Sequence, residues 1–168
     1  HISLHPRGLR YASSANTTCR TKVTRPSHFI DNRRIAAATG ATLPMIDPSD
    51  GKPFAAIAAG TAPDIDLAVQ AAARARDGAW RRFAPAEKGR LLGKLAREIL
   101  DHGDELALLE ARDCGKPMKQ ARADVAACAR YFEFYGGASD KLSGDTIPYS
   151  AGYTVLTWRE PHGVTGHI

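Results

Sequence analysis

The first thirty residues contain no aspartate or glutamate, although charged side chains make up 24% of the chain. They hold five basic side chains, whereas the other 138 residues hold 18 basic and 18 acidic ones. The net charge of +5 therefore comes entirely from the N-terminal segment. Because the excess charge is confined to a tail and does not mark one face of a domain, we expect no nucleic-acid partner for the body of the protein.

Residues 1–26 also lack any periodic pattern of apolar side chains and are rich in Ser, Thr and Arg, which predicts a disordered basic tail. Three interpretations fit this tail. An organelle transit peptide agrees with the acid-poor composition, a nucleic-acid-binding arm agrees with the charge, and a segment without a selected function agrees with both. The third is favoured, since the sequence begins at His1 and not at a methionine.

Long apolar runs and cysteines are scarce as well. No run approaches the roughly 18 residues of a transmembrane helix, so we expect no membrane partner. The three cysteines, Cys19, Cys114 and Cys128, show neither the spacing of a metal site nor an even disulfide set. This pattern predicts a reducing, cytoplasmic location, with Cys114 and Cys128 as small buried apolar residues.

A catalytic constellation is also missing from the pattern, so we assign no catalytic residue. The six histidines are scattered, and none has metal-ligand spacing with two other groups. The stretch Gly115-Lys116-Pro117 differs from a phosphate-binding loop, because Pro117 replaces the Ser or Thr that would bind the metal.

Short strands are predicted in the first part of the body. Phe29-Ile30 and Arg33-Arg34-Ile35 flank Asp31-Asn32, which indicates a hairpin, since Asn tolerates the positive φ of such a turn. A second pair of strands is predicted over 43–47 and 53–59, with Pro48-Ser49-Asp50-Gly51 as the turn.

Helical periodicity begins after Gly60. Thr61 and Asp64 resemble a capping box, and an amphipathic helix of about four turns follows with Ile65, Ala68 and Val69 on its apolar face. A second helix is predicted over 85–101 and a third from an Asp104 cap to Gly115.

A fourth helix starts at Pro117 and carries the most regular apolar seam. We expect this seam to pack on a sheet; it consists of Met118, Ala121, Val125, Cys128, Phe132 and Tyr135. A strand is predicted over 153–158, and Val164 is expected to open another that runs to Ile168.

Five segments in a fixed order resemble the N-terminal third of NAD(P)-dependent aldehyde dehydrogenases. They are FIDNRRI, LPMIDPSDGKPFAAIAAGTAPDIDLAVQAAARARDGAW, EKGRLLGKLAREILDHGDELALLEARDCGKP, YFEFYGGASDKLSGDTIP and YTVLTWREPHGVTGHI. Together they span residues 29–168. Each motif alone is weak evidence, whereas their agreement in order and spacing over about 140 residues is specific.

The resemblance implies an α/β fold: the helical layer and first strands of a cofactor-binding domain, with part of an oligomerisation arm, truncated before most of the dinucleotide-binding sheet. We expect a tail over 1–26 and a partial domain over 27–168, with 145–161 in the arm. In the complete enzyme, an aldehyde would be oxidised to a carboxylic acid with NAD or NADP, through a cysteine thiolate and a glutamate that activates water. By the resemblance this chain contains neither group and is inactive alone.

Four site residues follow from the resemblance alone. The counterpart of Ile168 contacts the dinucleotide in family members. Many members also hold a structural monovalent cation through backbone carbonyls at the positions of Met45 and Ile46, a carboxylate at the position of Asp113 and a further carbonyl from sequence absent here. A cap or surface charge near the helix end is the alternative for Asp113. Cys114 departs from the Asn or Thr that the family usually has between this Asp and Gly115.

Two functional hypotheses remain from the sequence. The first is an N-terminal fragment of an aldehyde dehydrogenase, an oxidoreductase that forms a homo-oligomer when complete and acts on an aldehyde. The alternative is a stand-alone interaction module derived from the same fold, for which the uncovered seam of the fourth helix is the only support.

Overall fold

The computed structural model describes residues 26–167, so the predicted disordered tail lies outside the described residues except for Pro26. The described chain is an α/β assembly of helices with small two-stranded sheets. The first hairpin pairs β1 (His28–Ile30) with β2 (Arg33–Ile35) in antiparallel register. Asp31 and Asn32 form its turn with φ of 52° and 58°, which confirms the two-residue turn predicted from the sequence.

A second hairpin joins β3 (Thr42–Ile46) to β4 (Pro53–Ala58). Its turn closes through hydrogen bonds from the Asp47 amide to the Lys52 carbonyl and from the Gly51 amide to the Asp47 carbonyl, at 2.9 and 2.8 Å. The predicted strands and turn are therefore present.

Five helices follow in the described part of the chain: α1 (Ala62–Asp77), α2 (Ala79–Arg82), α3 (Pro85–Asp101), α4 (Gly103–Cys114) and α5 (Met118–Ala138). The single turn of α2 was not predicted. Asp104 is not the cap of α4 as predicted; it lies in the first turn, after His102, and pairs with Arg122 of α5 at 3.0 Å.

Within residues 26–167 helix α5 packs on α3 and α4, while Cys128 and Tyr135 of its seam are exposed, so packing of the seam on a sheet stays a prediction. The contact layer is made of alanines that are at most 1% exposed: Ala96, Ala107, Ala121 and Ala129. Such small side chains let helix backbones approach closely. At Gly89 and Gly136 the two helices touch, since a Cβ built on Gly89 would overlap the Gly136 carbonyl oxygen.

The predicted burial of both body cysteines is also wrong, because Cys114 and Cys128 are exposed. Cys128 lies on α5 only one residue before the buried Ala129, on a part of the helix that neither α3 nor α4 covers.

The last described segment contains β5 (Thr146–Ile147) paired with β6 (Val155–Leu156), which is shorter than the strand predicted over 153–158. Residues 164–167 form no strand, so the prediction of a strand from Val164 is wrong for its described part. A strand needs a hydrogen-bonded neighbour, and none of the described segments pairs with these residues.

Candidate functional site

Two of the predicted cation-site residues lie on one cavity. Met45 of β3 and Asp113 of α4 both line a concave space of about 320 Å³ between the second hairpin and this helix. The other lining residues are Phe54, Leu106, Leu109 and Glu110. The fold thus brings together residues that are 68 positions apart in the sequence, as the resemblance implied.

The backbone at Met45 and Ile46 departs from a regular ladder. The register with β4 shifts between these two residues, so Met45 pairs with Ala55 while Ile46 pairs with Pro53. Such an irregularity interrupts the hydrogen bonds of a strand pair and can direct a backbone carbonyl away from its neighbour. Carbonyl and carboxylate oxygens are the donors that hard cations prefer, so the donor set suits a monovalent or other hard cation.

An ion pair fastens the second hairpin to α4 beside this cavity. The Arg112 Nε donates to Asp47 Oδ2 at 3.2 Å, and the Arg112 guanidinium lies 4.4 Å from the centre of the Phe54 ring. Hydrogen bonds from the Ser49 hydroxyl and amide, with a smaller contribution from Arg112, lower the pKa of Asp47. Asp47 therefore stays ionised and binds the turn and the helix at once.

The PSDG turn and the GKP stretch, which the sequence presents as separate motifs, are in contact. Gly115 ends α4 in the left-handed conformation with φ of 70°. A Cβ at this position would also come within 2.8 Å of Pro48 Cγ. Glycine is thus required at residue 115 both for the backbone conformation and for the close approach of the turn.

Lys116 forms an ion cluster between α4 and α5. Its Nζ donates to Glu110 Oε1 at 2.5 Å and to Asp124 Oδ2 at 3.0 Å. These bonds, first to Glu110 and then to Asp124, raise the pKa of Lys116 and keep its charge at neutral pH. The bond from Lys116, followed by one from Gln120, lowers the pKa of Asp124. Sequence reasoning missed this cluster, because only the turn between the helices brings the three groups together.

Neither body cysteine has the surroundings of a nucleophile. Cys114 is the last residue of α4 and Cys128 lies on α5; both are exposed, and within residues 26–167 neither hydrogen-bonds to a histidine or a carboxylate. The expected dinucleotide contact, Ile168, lies outside the described residues.

Residues 26–167 contain neither a metal-binding cluster of side chains nor a membrane-spanning helix. No three His, Cys, Asp or Glu side chains there are grouped to hold a metal ion. A cation site built mainly from backbone carbonyls does not require such a group. No described helix combines the length and apolar character that crossing a membrane requires.

The family model for the aldehyde dehydrogenase family matches residues 35–168. The chain belongs to the aldehyde dehydrogenase family. Its backbone matches a Burkholderia cenocepacia protein classed by inference as an aldehyde dehydrogenase, with 60% identity and a TM-score of 0.78 over 82% of this chain and 29% of that one. It also matches PnpE of Pseudomonas sp. WBC-3, solved with nicotinamide adenine dinucleotide, with 42% identity and a TM-score of 0.72 over 78% of this chain and 27% of that one.

Curated relatives agree with this assignment. An aldehyde dehydrogenase of Aspergillus niger is 40% identical over 140 residues, which cover 83% of this chain and 28% of the relative. A mitochondrial benzaldehyde dehydrogenase of Antirrhinum majus is 40% identical over 142 residues, or 83% and 27% of the two chains. The chain therefore spans little more than a quarter of the length of these relatives. The expected fold, the N-terminal portion of an aldehyde dehydrogenase, is confirmed.

Proposed function

We propose that this chain serves as the N-terminal part of an enzyme that oxidises an aldehyde to a carboxylic acid with NAD or NADP. The observation that carries the proposal is the 60% identity and TM-score of 0.78 with the Burkholderia protein over 82% of the chain. The dinucleotide bound in the related PnpE structure supports the nicotinamide cofactor. We further propose a cytoplasmic location and a homo-oligomeric assembly.

The described residues supply structure to this reaction and no reacting group. In the chemistry implied by the family, a thiolate attacks the aldehyde, hydride passes to the nicotinamide and water releases the acid. The exposed Cys114 and Cys128 have no described base to activate them, so neither suits the thiolate's role. Helices α3, α4 and α5 would cover the cofactor domain, Ile168 would contact the dinucleotide, and residues 145–161 would extend into the assembly arm.

The cavity beside α4 would hold a structural monovalent cation. Met45 and Ile46 would supply backbone carbonyls and Asp113 a carboxylate, while Lys116 neutralises Glu110 on the same wall. The chain would be melted in choline chloride and in potassium or sodium chloride of equal concentration. The small cations should raise the melting temperature relative to choline, and Asp113→Asn should remove most of that increase. Asp101→Asn, an exposed carboxylate at the end of α3, is the matched control. An undiminished cation effect in Asp113→Asn would contradict the assignment.

A stand-alone interaction module remains the second candidate, because aromatic side chains on α5 are left uncovered. Tyr131, Phe134 and Tyr135 are 65%, 59% and 61% exposed, so an acceptor could bury them. This function would require a stable complex formed by the chain itself and would not require turnover.

A chimaera separates the two candidates. Residues 29–168 would replace the matching segment of the Burkholderia protein, and formation of reduced nicotinamide would be compared with that of the parent on an aldehyde the parent oxidises. We expect the chimaera to keep activity within about tenfold of the parent, since the segment touches no reacting atom. A folded chimaera, of the parent's oligomeric size but without activity, would overturn the proposal and favour the interaction module.

A further inference from the structure

Asp64 is the most buried charged side chain among the described residues, at 3% exposure, and it joins two segments. Its Oδ2 accepts hydrogen bonds from the Thr61 amide at 2.9 Å and the Thr61 hydroxyl at 2.8 Å. Its Oδ1 accepts one from the Ala38 amide at 2.9 Å, in the loop after the first hairpin. Asp64 thus caps α1 and at the same time holds the chain that enters from β2.

His28 of β1 lies beside the same oxygen without reaching it. Its Nε2 is 4.0 Å from Asp64 Oδ1, and the side chain is 21% exposed. The Nε2 atom itself is buried and has no hydrogen-bond partner among the described residues. Gly60 limits the imidazole on another side, because a Cβ there would lie 3.3 Å from His28 Cε1. A buried ring nitrogen next to a carboxylate, with no partner, is a costly arrangement for a neutral imidazole.

The other charged groups around the hairpin lie on its turn, on β2 and on α1. Asp31 in the turn pairs with Arg74 of α1 at 3.6 Å, and Arg33 and Arg34 are exposed on β2. Hydrogen bonds from the Thr61 amide and hydroxyl, with smaller contributions from Ala38 and His28, lower the pKa of Asp64. Asp64 is therefore a fixed negative charge between about pH 5 and 8, whereas a histidine gains or loses a proton in that range.

We propose that His28 is a pH-sensitive latch between the N-terminal hairpin and helix α1. When a proton from solvent binds Nε2, the imidazolium donates to Asp64 Oδ1 and fixes β1 against the start of the helix. When the proton leaves, the neutral ring loses the charge that attracts the carboxylate, so the hairpin is held less firmly against α1. The device controls how firmly residues 28–35 are held, which is independent of the aldehyde chemistry.

Amide hydrogen exchange of β1 and β2 tests the latch in the full chain at high dilution. Wild type and His28→Gln would be compared at about pH 5.5 and about pH 8, so that the ratio at each pH cancels the intrinsic exchange rate. We expect the wild-type hairpin to exchange about fivefold more slowly than His28→Gln at the lower pH, and the difference between them to shrink clearly at the higher one. His28→Lys, whose charge is permanent, should exceed His28→Gln in protection at both.

His102→Gln is the matched control, because His102 faces Glu105 at 3.5 Å in an exposed pair far along the chain. It should leave hairpin exchange unchanged at both pH values. Equal exchange of the β1–β2 hairpin in wild type and His28→Gln at the lower pH would overturn the proposal, whether the hairpin is protected in both proteins or in neither. The same holds if the ratio between them is independent of pH.

Discussion

Lys116 shows how one side chain holds two helices in register. It lies between Glu110 and Asp124, and its removal would leave two facing carboxylates without their shared cation. Lys116→Met should therefore lower the melting temperature by several degrees, with repulsion between the carboxylates adding to the lost bonds. The check is a thermal scan at neutral pH beside Lys119→Met, an exposed lysine of α5. Equal melting temperatures in the two variants would contradict this role.

Asp64 should make the chain sensitive to acid. Its folded pKa is depressed below the ordinary value of 3.8, chiefly by the Thr61 amide and hydroxyl. A carboxylate with a depressed pKa stabilises the fold fully above its unfolded pKa, and the contribution is lost as pH falls through the folded value. The free energy of unfolding should thus fall below about pH 4, and Asp64→Asn should flatten that part of the curve. Denaturant titrations across this range measure it, with Asp66→Asn as the exposed control.

Residue-level prediction from the sequence succeeded where the chemistry is local. The positive φ at Asn32 and the capping pair Thr61 and Asp64 depend on neighbours within three residues, and both are present. The Lys116 cluster and the approach of His28 to Asp64 depend on tertiary packing, so the sequence alone did not show them.

At the scale of elements, the crossing of α3 and α5 depends on Gly89. A Cβ at Gly89 would overlap the Gly136 carbonyl oxygen, whereas at Gly93, one turn later, it would meet nothing within 4 Å. Gly89→Ala should therefore destabilise the chain by about 1 to 3 kcal/mol through overpacking. Gly93→Ala should stabilise it by about 0.5 to 1 kcal/mol, since alanine has the higher helix propensity. Urea unfolding of both variants gives the two signs, and the same sign for both would refute the close crossing.

Helix positions were predictable from periodicity, but helix partners were not. Helix α3 has the predicted bounds, and α5 starts within one residue of its prediction. The narrow seam of α5 was expected to pack on a sheet, whereas buried alanines of α3, α4 and α5 allow helix-on-helix packing within the described residues. On α1 the predicted apolar face is largely uncovered, with Ile65 62% and Val69 46% exposed, while Asp64 and Ala71 are buried.

At the scale of the whole molecule, many large apolar side chains of the described residues are exposed. Four of the five most exposed large apolar side chains lie around the last hairpin: Trp158 at 82%, Leu142 at 74%, Tyr153 at 71% and Tyr149 at 70%. Burying each would contribute about 1.5 to 3 kcal/mol, which favours association. We expect the apparent mass in light scattering to rise with concentration, and Trp158→Ser to reduce the rise. A constant monomer mass up to high concentration would contradict this expectation.

The family and the fold could be predicted from the motifs, because their order and spacing along the sequence follow the order of the strands, turns and helices in the fold. The resemblance singled out Met45 and Asp113, which line one cavity, while a cation there stays a prediction. The strand predicted from Val164 is absent over residues 164–167, because a strand depends on a hydrogen-bonded neighbour as much as on its own residues.

We propose that residues 26–167 contribute structure and no reacting group to an aldehyde dehydrogenase. The most direct measurement is formation of reduced nicotinamide by the purified chain with a panel of aldehydes and NAD or NADP. We expect a rate of reduced-nicotinamide formation equal to that of the buffer blank, since Cys114 and Cys128 are exposed thiols without a described base. A reproducible rate that Cys114→Ser abolishes and Cys128→Ser leaves unchanged would contradict it.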